Sequence, residues 1–439
     1  MDMRMNAYSF HALYAFSLLS ADQEKISGEP ATNAKSIAYD IAELRRSFEE
    51  LLREDYPFLV GGEMHVDSAT KTICLRARQP DSQQKMPLLV FDTDTARSTR
   101  DVLALLDFSL VPTRTPTDLI AVKCTFLGGD GGGGLVIGLN INHCVFDAEG
   151  CFTFMMLWGT HYRQVKKSQR PVISHARHLL FKEGGDYSAK LDHPEYTVVD
   201  VASTSQARAK LFPTTTQRVF HVSNEQLQHL KAYVADGLDR SGVIAPALIS
   251  TMDALTALVT LLITQARGHE HDVNVSTAVN GRRRLEPCLP NNYAGNVVFT
   301  AFSSSTAAEL ASIDEPSKQY LAVTAQRIRQ SIQRMNSAFL RDTIAFLTHH
   351  YYHVEASTKF LFGADVMFSS WRRLGSLDAD FGARPLGVSS PALPVCDGVV
   401  VFQESGGVDV LVYLEVGAMA RLEGLWPSAG SCCWATSTG

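Results

Sequence analysis

A histidine and an aspartate lie four positions apart where an apolar run of the chain ends, in the segment 142–147 that reads NHCVFD. A histidine, with an ordinary pKa near 6.5, is the usual general base at neutral pH. His143 is therefore a candidate general base. Asp147 is a candidate for fixing the imidazole ring or the loop around it. This spacing alone is common, so the chemistry depends on the rest of the chain.

The residues before His143 predict the element that positions it. Residues 135–141 are mostly aliphatic or β-branched, which predicts a buried strand. The glycine cluster at 128–134 lacks the lysine and hydroxyl residue of a Walker loop and joins two strand patterns. It therefore predicts a flexible hairpin loop rather than a phosphate site. His143 then lies at a strand exit, where catalytic groups often gather.

Further segments along the chain carry the motifs of a known family in the family's order. They are 51–62 (LLREDYPFLVGG), 250–255 (STMDAL), 281–290 (GRRRLEPCLP), 293–296 (YAGN), 369–371 (SSW) and 378–382 (DADFG). With the His143 segment, they make the chain resemble the BAHD acyltransferases. That plant and fungal family moves acyl groups from coenzyme A thioesters to hydroxyls or amines. Its members carry H-x-x-x-D-G in mid-chain and D-F-G-W-G near the C-terminus.

The chain departs from the family pattern at both motifs. Asp147 is followed by Ala148 instead of glycine, and Gly382 is followed by Ala383 and Arg384, so the tryptophan and the last glycine are missing. In the family, the D-F-G-W-G segment is mainly structural, so this loss concerns packing more than chemistry. Divergence of this kind resembles the fungal members, such as the trichothecene acetyltransferases.

The resemblance implies an α/β fold of two similar chloramphenicol-acetyltransferase-like domains, with mixed β-sheets flanked by helices and a channel between them. We expect an N-terminal domain at 1–175, a crossover at 176–215 and a C-terminal domain at 216–439, with some strand exchange. A composition shift at 168–216 towards lysine, serine, proline and threonine indicates the crossover. The pattern at 316–353 predicts one long helix.

Composition fits a soluble enzyme and argues against several other classes. The chain has 439 residues and a formal net charge of -6, which does not suit a nucleic-acid surface. No run reaches the roughly 18 apolar residues of a membrane span. The eight cysteines include no C-x-x-C pair, which favours a reduced cytoplasmic protein. The family default is a monomer without an obligate protein partner or a metal.

The resemblance also implies a role for each motif residue. His143 is the expected general base, and Trp371 and Ser369 are expected to donate to the thioester oxygen. Asp147 is expected to organise its loop through an arginine. The remaining positions are Ser250 and Asn296 as acyl-CoA contacts, Asp380 and Gly382 as a structural motif, and Arg282 and Arg284 as partners of Asp147 or Asp380.

Three functions stay open on the sequence alone. The first is acyl transfer from coenzyme A, with acetyl-CoA as the expected donor, to an alcohol or amine acceptor that leaves no mark in the sequence. The second is a condensation-type enzyme using a carrier-protein thioester, although position 142 is Asn where that family usually has a second histidine. The third is a non-catalytic binding protein. Cys144 raises an acyl-enzyme route, but neighbouring strand residues point to opposite faces.

Overall fold

The computed structural model contains strands and helices along the whole of its described part. The strands are β1 (Ser9–Ser17), β2 (Gly62–Val66), β3 (Ile73–Ala77), β4 (Leu88–Asp94), β5 (Ile120–Leu127), β6 (Gly134–Asn142), β7 (Tyr196–Val198), β8 (Thr215–Ser223), β9 (Val273–Asn280), β10 (Val298–Ser305), β11 (Val354–Ala356), β12 (Val366–Ser370), β13 (Gly387–Ser389), β14 (Val399–Glu404) and β15 (Gly407–Glu415). The helices are α1 (Ile41–Glu54), α2 (Pro57–Gly61), α3 (Ala148–Tyr162), α4 (Asn224–Arg240), α5 (Thr251–Arg267), α6 (Lys318–Arg334), α7 (Ser337–His350) and α8 (Val416–Leu425).

The structure describes most of the chain in separate stretches. They are residues 9–18, 39–66, 73–77, 86–99, 101–102, 107–115, 117–129, 133–181, 188–199, 213–240, 249–307, 318–350, 354–359, 362–391 and 397–426. Among the helices of these stretches, none combines the length and the apolar character that crossing a bilayer requires.

The first sheet holds the strand that leads to His143. Its order is β13-β1-β6-β5-β4, with β6 antiparallel to both neighbours and β4 parallel to β5. All nine residues of β6 are buried, because strands flank it on both sides. Leu127 faces Gly134 across the β5–β6 pair, which confirms the predicted hairpin around the glycine cluster. The buried strand predicted at 135–141 is confirmed as well.

The second sheet holds the strand that leads to Trp371. Its order is β10-β9-β12-β14-β15-β8, and β12 runs parallel to both β9 and β14 inside an otherwise antiparallel sheet. Strands β14 and β15 form a hairpin near the end of the described chain, in which Glu404 pairs with Val408. The mixed sheets with flanking helices agree with the α/β fold expected from the motifs.

The two halves of the chain share a sheet and a core. Strand β13, from the C-terminal half, pairs antiparallel with β1, placing Ser389 opposite Leu13. The core cluster around β6 and α3 also contains Trp371, Phe381 and Val401 from the second half. This pairing supports the expected strand exchange, while the domain boundaries themselves stay a prediction.

The long helix predicted at 316–353 is wrong in one respect, because the described part consists of two helices, α6 and α7. The break lies at Met335 and Asn336. The Asn336 side chain accepts a hydrogen bond from the backbone N–H of Phe339 at 3.0 Å. That bond is the usual way in which an asparagine caps a helix N-terminus, so Asn336 marks the start of α7.

One described stretch of the expected crossover, residues 188–199, is joined to α7 by a buried histidine. His193 Nδ1 lies 2.9 Å from Glu195 Oε1 and its Nε2 lies 2.9 Å from Asp342 Oδ2. Burial opposes charge on the ring, but the hydrogen bonds to Glu195 and Asp342 outweigh it and raise the pKa of His193. The rings of Phe339 and Phe346 pack against the imidazole.

We expect this contact to make stability depend on pH. Because the pKa of His193 is raised, its contribution to the free energy of unfolding is complete below the ordinary value of 6.5 and is lost as pH rises through the raised value. Urea unfolding at about pH 6 and about pH 9 gives the free energy of unfolding at each pH. Between the lower and the higher pH, this free energy should fall less for His193→Gln than for the wild type. The exposed His221, paired with Asp409, provides a control in His221→Gln. An equal fall in the free energy of unfolding for His193→Gln and wild type would contradict the role assigned to His193.

Candidate active site

His143 lies in the turn between β6 and α3, with its side chain partly exposed. The ring of Phe10, on β1, meets the imidazole edge-on at 5.5 Å between centroids. The amide of Asn296 donates from Nδ2 to the backbone carbonyl of His143 at 2.8 Å, and the same nitrogen lies 3.4 Å from His143 Nδ1. The ring is therefore held from two sides, by an aromatic edge and by an amide from the second half of the chain.

Asp147 is buried, and its carboxylate accepts hydrogen bonds from the backbone of the loop and helix rather than from the imidazole. Its Oδ1 accepts from the backbone N–H of Gly150 at 2.9 Å, which caps the N-terminus of α3. Its Oδ2 accepts from the backbone N–H of Val297 at 2.9 Å. No hydrogen bond joins Asp147 and His143 in the described part of the chain. The geometry thus supports the expectation that Asp147 organises the loop.

Arg282 completes the buried ion pair. It donates to both carboxylate oxygens of Asp147, at 2.7 and 2.9 Å, and to the carbonyls of Tyr293 and Gly295 at 3.1 and 2.6 Å. The two side chains expose only 6% and 1% of their surface. Burial alone would lower the pKa of Arg282, but the charge and hydrogen bonds of Asp147 raise it. The pair is therefore almost completely buried, and the protein supplies all of its hydrogen-bond partners.

The other expected arginine pairing is wrong. Asp380 pairs with Arg163, whose Nη1 lies 3.3 Å from Asp380 Oδ2 and whose Nε donates to the Asp380 carbonyl at 3.1 Å. Arg284 donates instead to the carbonyls of Ile332 and Met335. Arg163 follows the last residue of α3, outside any recognised motif. Sequence reasoning missed it for that reason.

Trp371 and His143 share an aromatic neighbour, Phe10. The Trp371 ring centroid is 5.4 Å from that of Phe10, which also contacts His143, and 5.3 Å from that of Phe152. The Trp371 side chain is buried at 5% exposure. Yet its indole N–H donates to no atom in the stretches that the structure describes. The donor is therefore free to meet a ligand.

Ser369 lies on β12, two residues before Trp371. It is paired with Val401 on β14, so the two side chains share one face of the sheet. Val401 packs in the core cluster around β6 and α3, which places that face towards the first half of the chain. The Ser369 hydroxyl makes no hydrogen bond within the described ranges.

The packing and hydrogen bonds of the 378–382 segment support the structural role expected for it. Phe381 is fully buried, with ring centroids 5.3, 5.2 and 5.4 Å from Phe16, Trp158 and Tyr162. Gly382 adopts φ 93°, a conformation that favours glycine, and donates to Asp380 Oδ1 at 2.9 Å. Asp147 lies at the N-terminus of α3, and Trp158, which contacts Phe381, lies about 16 Å further along the helix. The 378–382 segment therefore lies away from His143. Trp158 and Tyr162 supply aromatic packing around Phe381 where the family's own tryptophan is absent.

The residues expected to contact acyl-CoA have partners within the protein. Ser250 accepts from the backbone N–H of Asp253 at 3.2 Å, while Asp253 accepts from the Ser250 N–H at 2.7 Å, which is a capping box at the start of α5. The side-chain oxygen Oδ1 of Asn296 accepts from the Val298 N–H at 3.1 Å, and the side-chain nitrogen Nδ2 faces His143. Contact with acyl-CoA stays a prediction for both.

His11 is a neighbour of His143 that sequence reasoning missed. It lies on β1 opposite Asn140 and is 5% exposed. Burial lowers its pKa to about 4, with smaller contributions from the charges of Arg114 and His143. His11 is therefore neutral at physiological pH. Only the β1–β6 register, which the sequence does not reveal, brings it near the site. The structure's described portion contains no cluster of three His, Cys, Asp or Glu residues suited to a metal ion.

The candidate base, the indole donor and the buried Asp–Arg pair all belong to the part of the chain that matches a known protein family. Residues 93–425 match the model of a protein family described as the Transferase family, over more than half of the chain. The chain belongs to the BAHD acyltransferase family. The family that the motifs predicted is thereby confirmed.

Curated relatives of this BAHD member come from plants. Agmatine coumaroyltransferase-1 of Hordeum vulgare is 28% identical over 318 residues, which cover 68% of this chain and 67% of the relative. A hydroxycinnamoyltransferase of Narcissus pseudonarcissus is 29% identical over 312 residues, or 67% of this chain and 66% of the relative. The matched region thus spans about two thirds of each relative.

Solved structures with the same fold include fungal proteins. TRI101 of F. graminearum, complexed with coenzyme A and deoxynivalenol, has a TM-score of 0.70 and 18% identity, covering 95% of this chain and 93% of its own. TRI101 of F. sporotrichioides, complexed with coenzyme A and T-2, has a TM-score of 0.67 and 19% identity at the same coverage. At this identity they establish the fold, which confirms the expected two-domain α/β architecture.

Proposed function

We propose that this protein transfers an acyl group, acetyl in the first instance, from coenzyme A to a hydroxyl or amine of a small specialised metabolite. The observation that carries the proposal is that His143 and Trp371 both contact Phe10, at 5.5 and 5.4 Å between ring centroids, while the indole N–H donates to no atom of the described residues. A base and an oxyanion donor are the two groups that acyl transfer needs. The protein would act as a cytoplasmic monomer with acyl-CoA and the acceptor as its partners.

The reaction follows from these groups. His143 accepts the proton of the acceptor while the acceptor oxygen or nitrogen attacks the thioester carbonyl, because an alcohol is too weakly acidic to attack unaided at neutral pH. Charge then develops on the carbonyl oxygen, where Trp371 Nε1–H and the Ser369 hydroxyl are the proposed donors. When the C–S bond breaks, protonated His143 returns the proton to the departing thiolate. The products are the acylated acceptor and free coenzyme A, without a covalent enzyme intermediate.

The donor has a second candidate. Two of the curated relatives carry coumaroyl and hydroxycinnamoyl in their names, whereas structures of the same fold include TRI101 complexed with coenzyme A and T-2. An aromatic acyl-CoA is therefore the alternative to acetyl-CoA. Ser250, at the N-terminus of α5, stays a proposed acyl-CoA contact, because the first-turn N–H groups beside its capping box attract anions.

Product analysis tests this function. Purified protein would be incubated with acetyl-, malonyl- or coumaroyl-CoA and an extract of small metabolites, and new acylated compounds would be identified by mass spectrometry. Products that carry the acetyl group and need active protein support the proposal. Products formed only from coumaroyl-CoA would favour the aromatic donor. Binding of coenzyme A without any product would favour a non-catalytic protein.

Removing the indole donor should slow the chemical step. Trp371→Phe keeps an aromatic ring between Phe10 and Phe152 but loses the N–H. Loss of one oxyanion donor typically costs about 10²-fold in rate, and we expect a fall in kcat of that order with little change in KM for acyl-CoA. Phe152→Leu, which disturbs the same packing without removing a donor, is the control. An equal fall in kcat for both substitutions would show that Trp371 contributes packing rather than a hydrogen-bond donor.

A further inference from the structure

Asn296 joins the second half of the chain to His143 with a fixed orientation. Its Oδ1 accepts from the backbone N–H of Val298 at 3.1 Å, and its Nδ2 donates to the His143 carbonyl at 2.8 Å. Turning the amide over would set Oδ1 against a carbonyl oxygen and the NH₂ group against an N–H. The hydrogen-bond partners therefore define which end faces His143.

The segment around Asn296 is anchored on both sides. The Val297 N–H donates to Asp147 Oδ2, and the carbonyls of Tyr293 and Gly295 accept from Arg282. The buried Asp147–Arg282 ion pair thus fixes the backbone that carries the Asn296 side chain. The amide in turn holds the residue at the end of β6, 153 positions away in sequence.

We propose that Asn296 is the positioning residue for His143, holding the backbone and ring of the base, rather than a contact of acyl-CoA. The strong tie is the 2.8 Å bond to the carbonyl, and the 3.4 Å approach to Nδ1 limits rotation of the ring. The inference rests on the proposed role of His143 as base. Misplacement of a catalytic group by about 1 Å can cost about 10²-fold in rate, so loss of this tie should affect the chemical step.

Asn296→Ala is expected to lower kcat by about tenfold to 10²-fold while the Kd of coenzyme A stays within about twofold. Asn224→Ala is the matched control, because Asn224 also donates from Nδ2 to a carbonyl, that of Gly406, at 2.8 Å on an exposed surface. Calorimetric melting would establish that each variant is folded. A raised Kd for coenzyme A with unchanged kcat would overturn the proposal. An Asn296→Ala variant with the kcat and Kd of the wild type would overturn it as well.

Asn296→Asp supplies a readout that a purely structural role would not move. A carboxylate beside Nδ1 favours the protonated imidazole, so the acidic limb of the pH profile of kcat/KM should move to higher pH. The substitution leaves unchanged His11, which interacts electrostatically with His143, as well as Arg114 beside His11 and the chain neighbours Cys144 and Asp147. An acidic limb that stays in place would overturn the proposal. Full activity of His143→Ala would instead overturn the proposed function, so the two failures are distinguishable.

Discussion

Replacing His143 by alanine should reduce kcat by roughly 10²- to 10⁴-fold, the range that general-base catalysis usually supplies. The fold should survive, because the side chain is partly exposed and makes one aromatic contact, with Phe10. The bond from Asn296 ends on the His143 backbone carbonyl, which alanine retains. Steady-state kinetics, thermal melting and coenzyme A titration on the same preparation measure the three quantities separately.

The control for this variant is His221→Ala. His221 pairs with Asp409 at 2.7 Å and is about half exposed, so its removal should alter neither kcat nor melting. If His143→Ala melted far below the wild type and lost coenzyme A binding together with activity, His143 would be a structural residue. A folded, coenzyme-binding and inactive protein is the expected outcome.

Arg282→Met should lower the free energy of unfolding by about 3 to 5 kcal/mol, the usual effect of removing one partner from a buried ion pair. The substitution leaves the Asp147 carboxylate at 1% exposure without its counter-ion. It also removes donors to the carbonyls of Tyr293 and Gly295. Denaturant unfolding of variant and wild type measures the loss.

Two further variants separate charge from packing in that result. Arg163→Met breaks the Asp380 pair, whose side chains are 39% and 30% exposed, and should cost no more than about 1 kcal/mol. The double variant Arg282→Met with Asp147→Asn should recover part of the loss, because no uncompensated charge remains in the buried site. Equal losses in Arg282→Met and Arg163→Met would contradict the account of the buried pair.

The sequence was sufficient for the parts of the fold that depend on local pattern and motif order. The apolar run before His143 predicted β6, and the glycine cluster predicted the hairpin that precedes it. Helical periodicity could not reveal the break at Asn336, because apolar spacing continues across it and only the cap to Phe339 defines the boundary. The positions of His143, Asp147 and Trp371 followed from motifs, while their mutual geometry did not.

Pairings between distant residues lay beyond the sequence. Arg163 and Asp380 are 217 positions apart, and any of several arginines would satisfy a carboxylate equally well on paper. Phe10 and His11 point to opposite faces of one strand, and only the pairing of β1 with β6 decides which one meets His143. Asn296 was recognised as a motif residue, but its contact with His143 depends on how the two halves pack.

The central claim is that His143 acts as the base in acyl transfer from coenzyme A. Release of free thiol from acetyl-CoA, followed with and without the acceptor extract for wild type and His143→Ala side by side, tests it most directly. The account predicts acceptor-dependent thiol release by the wild type that falls at least about 10²-fold in the folded variant. Thiol release that is independent of acceptor, or undiminished in His143→Ala, would contradict it.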